Sequence, residues 1–260
     1  MITILSNEQS FELWNSFRDK CNKCNHNGYI LSSNGEFEWC DCYISYRERK
    51  QLMESGISAR YYNWDIKDLD ENFLLYNKEE FDKFINVTSN IEDLIDNGKS
   101  IVMQGPHGLA KTALSSWLVK KAALIRVNNS NQIEYKYICS IVTAADLSSI
   151  LIQAQSFESD KSIILDRIRN SNLIVIDEFD KEYKLMDKSR FSGLEFGNLF
   201  NYLYESNKSI IIISNLSISE IRDAKIHASD VLDRIDSFEY NFVFRGESYR
   251  KRRKRRKNSE

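Results

Sequence analysis

Gly105-Pro106-His107-Gly108-Leu109-Ala110-Lys111-Thr112 is the stretch whose reading decides the fold. It follows a short apolar run, 100–104, and opens an amphipathic segment from Thr112 to Arg126. Strand, glycine-containing loop, Lys-Thr and helix, in that order, make the setting of a phosphate-binding loop. The backbone N–H groups of such a loop, with a helix N-terminus behind them, form a ready-made anion site. Lys111 is expected to reach the terminal phosphates of a bound nucleotide, and the Thr112 hydroxyl to hold Mg²⁺. One letter departs from the pattern G-x-x-x-x-G-K-[ST]. Ala110 stands where the second glycine is expected, and its Cβ is expected to crowd the phosphates or restrict the turn.

A second motif is Leu173-Ile174-Val175-Ile176-Asp177-Glu178, whose Asp177 lies 66 residues beyond Lys111. Four apolar residues read as a strand buried on both faces, with two carboxylates at its C-terminal end, where open α/β sheets bind ligands. Asp177 is then expected beside the Thr112-bound Mg²⁺, with Glu178 polarising the attacking water. Asn215 ends a second apolar run, Ile210 to Ile213, where a polar side chain can touch the γ-phosphate or the water. Arg234, in Val231-Leu232-Asp233-Arg234-Ile235, is either a solvated helix residue or a charge supplied to a neighbour's nucleotide.

Around these motifs β and α patterns alternate. Strands are expected at 100–104, 134–140, 173–177, 209–214 and 239–244, and helices at 111–126, 144–155, 161–169, 191–206 and 218–225. The alternation implies a parallel sheet with helices on both faces. Upstream, helices are expected at 7–20, with Phe11, Trp14 and Phe17 on its apolar face, at 43–55, and at 78–96. This gives an N-terminal module at 1–55, a linker at 56–77, an ATPase domain at 78–249 and a tail at 250–260.

The module holds four of the five cysteines. Cys21-x-x-Cys24 and Cys40-x-Cys42 have the spacing of a metal site, and thiolates favour Zn²⁺. His26 lies close enough in sequence to replace one of them. Cys139 reads as a small core residue.

The 260 residues are 42% apolar and 28% charged, as in water-soluble globular proteins. No apolar run approaches the ~20 residues that cross a bilayer. Met1 to Glu8 lacks a basic region followed by a long apolar core, so the expectation is a cytoplasmic protein without membrane contact. The net charge of −2 conceals an asymmetry: 250–257 carries eight positive charges in a row. Taking those eight and Glu260 from 36 basic and 38 acidic residues leaves 28 against 37, a body of −9. The tail is either a solvated end or an arm that contacts nucleic-acid phosphates.

The order Gly-x-x-Gly-x-x-Lys-Thr, Leu-Ile-Val-Ile-Asp-Glu, Ile-Ser-Asn-Leu and Leu-Asp-Arg-Ile, closing on Phe244-Arg245-Gly246-Glu247-Ser248-Tyr249-Arg250, resembles the helicase-loader branch of AAA+ ATPases, the DnaC/DnaI/IstB family. Thr143 to Leu147 and Ser55 to Tyr61 are also similar to it. The resemblance covers roughly 55–250, and a zinc module placed before the ATPase resembles DnaI-type loaders in particular. It implies a lidless AAA+ fold with ATP and Mg²⁺ at the loop. Arg234 would act as a finger between subunits of an ATP-dependent assembly. The N-terminal module would grip a hexameric replicative DNA helicase of the DnaB type, and the ATPase assembly would bind single-stranded DNA. Arg250 is a further candidate for sensing the nucleotide. Other readings are an IstB-like transposition helper and an adaptor that binds nucleotide with little turnover.

Overall fold

The computed structural model describes residues 2–127, 132–154, 160–181 and 190–247, with side chains in the last segment from 193 onward. In chain order they form α1 (Asn7–Arg18), β1 (Tyr29–Leu31), β2 (Phe37–Trp39), α2 (Asp41–Glu54), α3 (Glu71–Ser89), α4 (Ile91–Asp96), β3 (Ile101–Gln104), α5 (Lys111–Ala123), β4 (Cys139–Thr143), α6 (Ala144–Gln153), α7 (Asp160–Arg169), β5 (Leu173–Asp177), α8 (Arg190–Glu205), β6 (Ser209–Ile213), α9 (Ile218–Asp223), α10 (Ser229–Asp236) and β7 (Tyr240–Val243). Short 3₁₀ turns cover Ala59–Tyr61, Ile66–Asp68 and Phe179–Lys181. Arg250 and the basic run lie outside the described residues.

Five strands pair in parallel in the order β4-β5-β6-β3-β7. Successive side chains of a strand leave on opposite faces, and both faces here are covered. Val102, Val142, Ile174, Ile176, Ile210 and Ile212 meet apolar residues of α6 to α10. Ile101, Met103, Ile141, Val175, Ile211 and Ile213 meet α3, α4 and α5. That two-sided burial is why β5 and β6 read as unbroken apolar runs. β6 lies between the loop-bearing β3 and the carboxylate-bearing β5, so 105–112, Asp177 and Asn215 all emerge at one sheet edge.

Three expectations shift. The strand placed at 134–140 is β4, at Cys139–Thr143. Residues 134–136 instead turn back on the chain leaving α5. Tyr135 bridges Arg126, and the Lys136 N–H donates to the Ile125 carbonyl at 2.8 Å. Ser140 enters the sheet because its hydroxyl pairs with that of Ser171 at 2.7 Å. The helix placed at 78–96 is two helices. The first starts earlier, capped by Asp70, and kinks at Asn77. Asn90 breaks it off and caps α4, accepting the Asp93 N–H. Phe11, placed on an apolar face, is exposed, whereas Trp14 packs edge-on to Tyr43 at 5.4 Å.

The C-terminal end of α2 lies against the free edge of β4. Ile141 N–H donates to the Ser55 carbonyl at 2.8 Å. Gly56 is left-handed (φ 77°), and a Cβ there would sit 2.4 Å from the Ile141 oxygen, so only glycine fits. Arg47 donates to the Ile133 carbonyl at 2.9 Å, and Glu54 pairs with Arg167 at 3.7 Å.

Candidate nucleotide-binding site

A cleft of about 530 Å³ opens at the sheet edge, lined by His107 to Ala113, Asp177, Glu178, Asn215, Arg245 and the aromatic Tyr61, Trp64 and Phe73. Its floor is the loop. Gly105 (φ 131°) passes so close to β7 that a Cβ would lie 2.1 Å from the Phe244 oxygen. Ala110 is left-handed, φ 56° and ψ 5°, immediately before α5 begins at Lys111. The conformation costs a residue with a Cβ about 1–2 kcal/mol. Ala110→Gly is therefore expected to be tolerated, to raise the melting temperature by about 2–8 °C, and to keep or raise turnover. An unchanged or lower melting temperature would show that the loop holds alanine without strain.

Lys111 is only 5% exposed. Its three ammonium donors meet the Gly105 carbonyl, the Pro106 carbonyl at 2.9 Å and Asn215 Oδ1 at 3.3 Å. Burial pushes its pKa down to about 8, against the pull of Asp177 and Asp180. Thr112 Oγ1 donates to Asp177 Oδ2 at 2.8 Å, and Asp177 Oδ1 accepts the Glu178 N–H at 2.7 Å. Burial raises the Asp177 pKa, and these two hydrogen bonds oppose it.

The donor set fits ATP and Mg²⁺. A buried carboxylate and a hydroxyl side by side are the hard oxygens Mg²⁺ takes. The amides before α5 and the Lys111 ammonium suit phosphate. Thr112 and Asp177 would hold the ion, which when bound neutralises phosphate charge.

Glu178 sits at the rim, half-exposed, its Oε1 accepting from Lys181 Nζ at 2.6 Å. Its backbone is also left-handed, φ 57°, a second strained position of about 1–2 kcal/mol. Asn215 is held by Asp180, whose Oδ1 accepts the Asn215 backbone N–H at 2.8 Å and its amide at 3.0 Å. Asp180 was not among the sequence candidates. The signal was a third carboxylate in Asp177-Glu178-Phe179-Asp180, brought round by the 3₁₀ turn.

Arg234 is not in this cleft. On α10 its guanidinium reaches Glu205 at 3.4 Å and the Asp230 carbonyl at 3.3 Å, over the Tyr204 ring. A chain therefore does not bring its own Arg234 to its own nucleotide site.

The cysteines form a separate site. Cys21, Cys24, Cys40 and Cys42 place their sulfurs within 4.8 Å of one another. Cys40 caps α2 and Cys42 lies in its first turn. The closest Sγ–Sγ separations, 3.5–3.6 Å, are far too long for a disulfide. They approach the edge of about 3.8 Å of a tetrahedron with Zn–S of about 2.3 Å. Burial pushes the Cys42 and Cys40 thiols up, a cost a bound cation would remove. His26 is turned to the Arg18 carbonyl at 2.9 Å, and the cluster is four cysteines. Cys139 is fully buried in β4, as expected for a core residue.

The strand order, the loop closed by Lys111 and the buried Thr112–Asp177 pair define a P-loop ATPase of the AAA+ class. The model of a protein family described as IstB-like ATP binding protein matches residues 49–257. The chain belongs to that family. No curated protein matches the sequence. Among solved structures, the DnaC helicase loader is 20% identical with a TM-score of 0.52, over 72% of this chain and 100% of that one. DnaI is 18% identical with a TM-score of 0.51, over 72% and 94%. The replication initiator DnaA bound to AMPPCP and single-stranded DNA is 16% identical with a TM-score of 0.52, over 75% and 56%. At these identities they are likenesses of fold. Among the described residues, no helix is long and apolar enough to cross a membrane.

Proposed function

We propose that this ATPase loads a hexameric replicative DNA helicase of the DnaB type in the cytoplasm, during replication initiation. The N-terminal module, 1–55, holds Zn²⁺ and grips the helicase. Residues 56–77, which pack on the ATPase core and lend Tyr61, Trp64 and Phe73 to the cleft, link it to the ATPase domain, 78–249, which self-assembles with ATP around single-stranded DNA. The basic run from Arg250 contacts phosphates. Glu178 polarises the attacking water, Asn215 touches the γ-phosphate, and Arg234 completes the neighbouring subunit's site.

The observation that carries the reading is the outer face of the hairpin. The register pairs Tyr29 with Trp39 and Leu31 with Phe37, so all four share one face. Leu31 is 64% and Phe37 71% exposed. An apolar face held out by a metal-centred knuckle fits a protein partner. The likeness to DnaC and DnaI along nearly their whole solved length supports the loader reading.

The test is the mass of the protein mixed with the host's replicative helicase, by size-exclusion with light scattering. The expected result is co-elution with the hexamer that gains copies when ATP is added and disappears with Phe37→Ser. One rival goes with the IstB-like family description, the IstB-like transposition helper. Co-elution with a transposase, and none with the helicase, would establish that instead.

The role of Arg234 has its own test. Arg234→Ala is expected to bind ATP like the parent yet fail to hydrolyse it, and mixing it with Lys111→Ala to restore some activity. Each variant spoils a different half of a shared site. Absence of rescue at every ratio would mean a site built within one chain.

A further inference from the structure

The turn after β5 carries Glu178 in a strained backbone, and something must hold it there. Strained residues persist only where their surroundings over-determine them. Three of the restraints belong to the cleft and the turn itself: Asp177 Oδ1 on the Glu178 N–H, the Lys181 N–H on the Glu178 carbonyl at 2.8 Å, and Asp180 on Asn215. The fourth comes from outside it. Phe179 is fully buried, and its carbonyl lies 2.9 Å from His227 Nε2. Its ring stacks on the imidazole with centroids 3.8 Å apart and planes 17° apart. Phe196 of α8 flanks the same imidazole at 5.5 Å.

His227 is 7% exposed and does not line the cleft. A carbonyl accepts, so Nε2 carries the hydrogen and Nδ1 keeps a lone pair. That Nδ1 is buried with no partner among the described residues. Burial pushes the imidazole pKa down to about 4, so the ring is a neutral donor at pH 7. A phenylalanine would fill this slot without stranding a nitrogen, which has a desolvation cost. What the imidazole adds is a directional N–H aimed at the residue between Glu178 and Asp180. His227 also stands two residues before α10, the helix that carries Arg234.

We infer that His227 is a positioning residue for ATP hydrolysis, holding the Phe179 turn so that Glu178 and the Asp180–Asn215 pair face the cleft, and tying that turn to the Arg234 helix. It rests on the roles proposed for Glu178 and Arg234. A neighbouring subunit that engages α10 then acts on the cleft through one ring and one hydrogen bond. Without that bond the left-handed Glu178 relaxes toward an ordinary backbone conformation and its carboxylate leaves its place at the rim.

The test uses the full chain with His227→Phe, which keeps a ring and drops the donor, and His227→Gln, which keeps a donor. Hydrogen exchange reads the turn without reference to activity. In His227→Phe the Glu178 and Lys181 amides are expected to exchange about tenfold faster, with β5 unchanged. The turnover number should fall about tenfold while the ATP dissociation constant stays within about twofold, because misplacement affects the reacting geometry rather than phosphate binding. His227→Gln should recover part of both. Unchanged exchange at 178–181 would overturn the inference. So would faster exchange throughout the sheet with a matching loss of ATP affinity, the signature of a residue that only fills the core. Glu178→Gln run in parallel separates the two levels. If it hydrolyses like the parent, the role of Glu178 fails, while the exchange result still decides whether His227 holds the turn.

Discussion

Lys111→Ala is expected to abolish ATP binding at working concentrations. The ammonium is buried, and its present partners are two loop carbonyls and Asn215. A phosphate offers the same donors a full negative charge. Truncating one partner of a buried, hydrogen-bonded charge pair loses about 2–5 kcal/mol, or roughly 30-fold to several-thousand-fold in affinity. The same burial makes binding pH-dependent. In the free protein the Lys111 pKa is pushed down to about 8. A bound polyanion favours the charged form, so binding above pH 8 must take up a proton. ATP affinity should be level below pH 8 and weaken by up to about tenfold per pH unit above it. Stability moves the other way. Between about 8 and the ordinary lysine value the unfolded chain holds the proton more tightly, so the nucleotide-free fold gains stability as pH rises. Calorimetric titrations from pH 7 to 9.5 read the first effect, and a flat affinity across that range would contradict the burial.

Loss of the Zn²⁺ proposed for the four cysteines should have the second large effect. Elemental analysis is expected to find about one Zn²⁺ per chain. Structural zinc contributes about 10–16 kcal/mol of apparent folding free energy in small modules. Cys40→Ser, or a strong chelator, should therefore melt α1 and the β1–β2 hairpin. Trp14 and Trp39 lie in that region and report it by fluorescence. The damage should stop inside α2, whose C-terminal half is fastened to the ATPase by Arg47, Glu54 and Ser55. ATP affinity should then stay within about threefold, since no lining of the cleft comes from residues 1–55. A metal-free protein with a native spectrum would remove zinc from the account.

What could be read from the sequence follows from local chemistry. Leu173 to Asp177 was legible to the residue because a strand buried on both faces has no polar interruption. β4 was not, because Ser140 breaks its apolar run and its partner Ser171 is invisible without the fold. The loop and its two carboxylates could be found by spacing. Asp180 and His227 could not, because an acid in an acidic turn and a lone histidine both look like surface residues until a 3₁₀ turn and a ring stack bring them inward. Asn90 divided a helical pattern that apolar periodicity alone ran together, and the kink at Asn77 hid the turns of α3 that precede it. Strand order was beyond reach, since which strand lies between β3 and β5 is settled by long-range packing.

Phosphate release by the parent and by Glu178→Gln, each with the replicative helicase and single-stranded DNA present, tests the central claim most directly. The expected result is hydrolysis by the parent alone, with both proteins binding ATP equally well. The variant should stay in the assembled state. Equal phosphate release from the two would contradict the assignment of this cleft as the site of hydrolysis with Glu178 polarising the water.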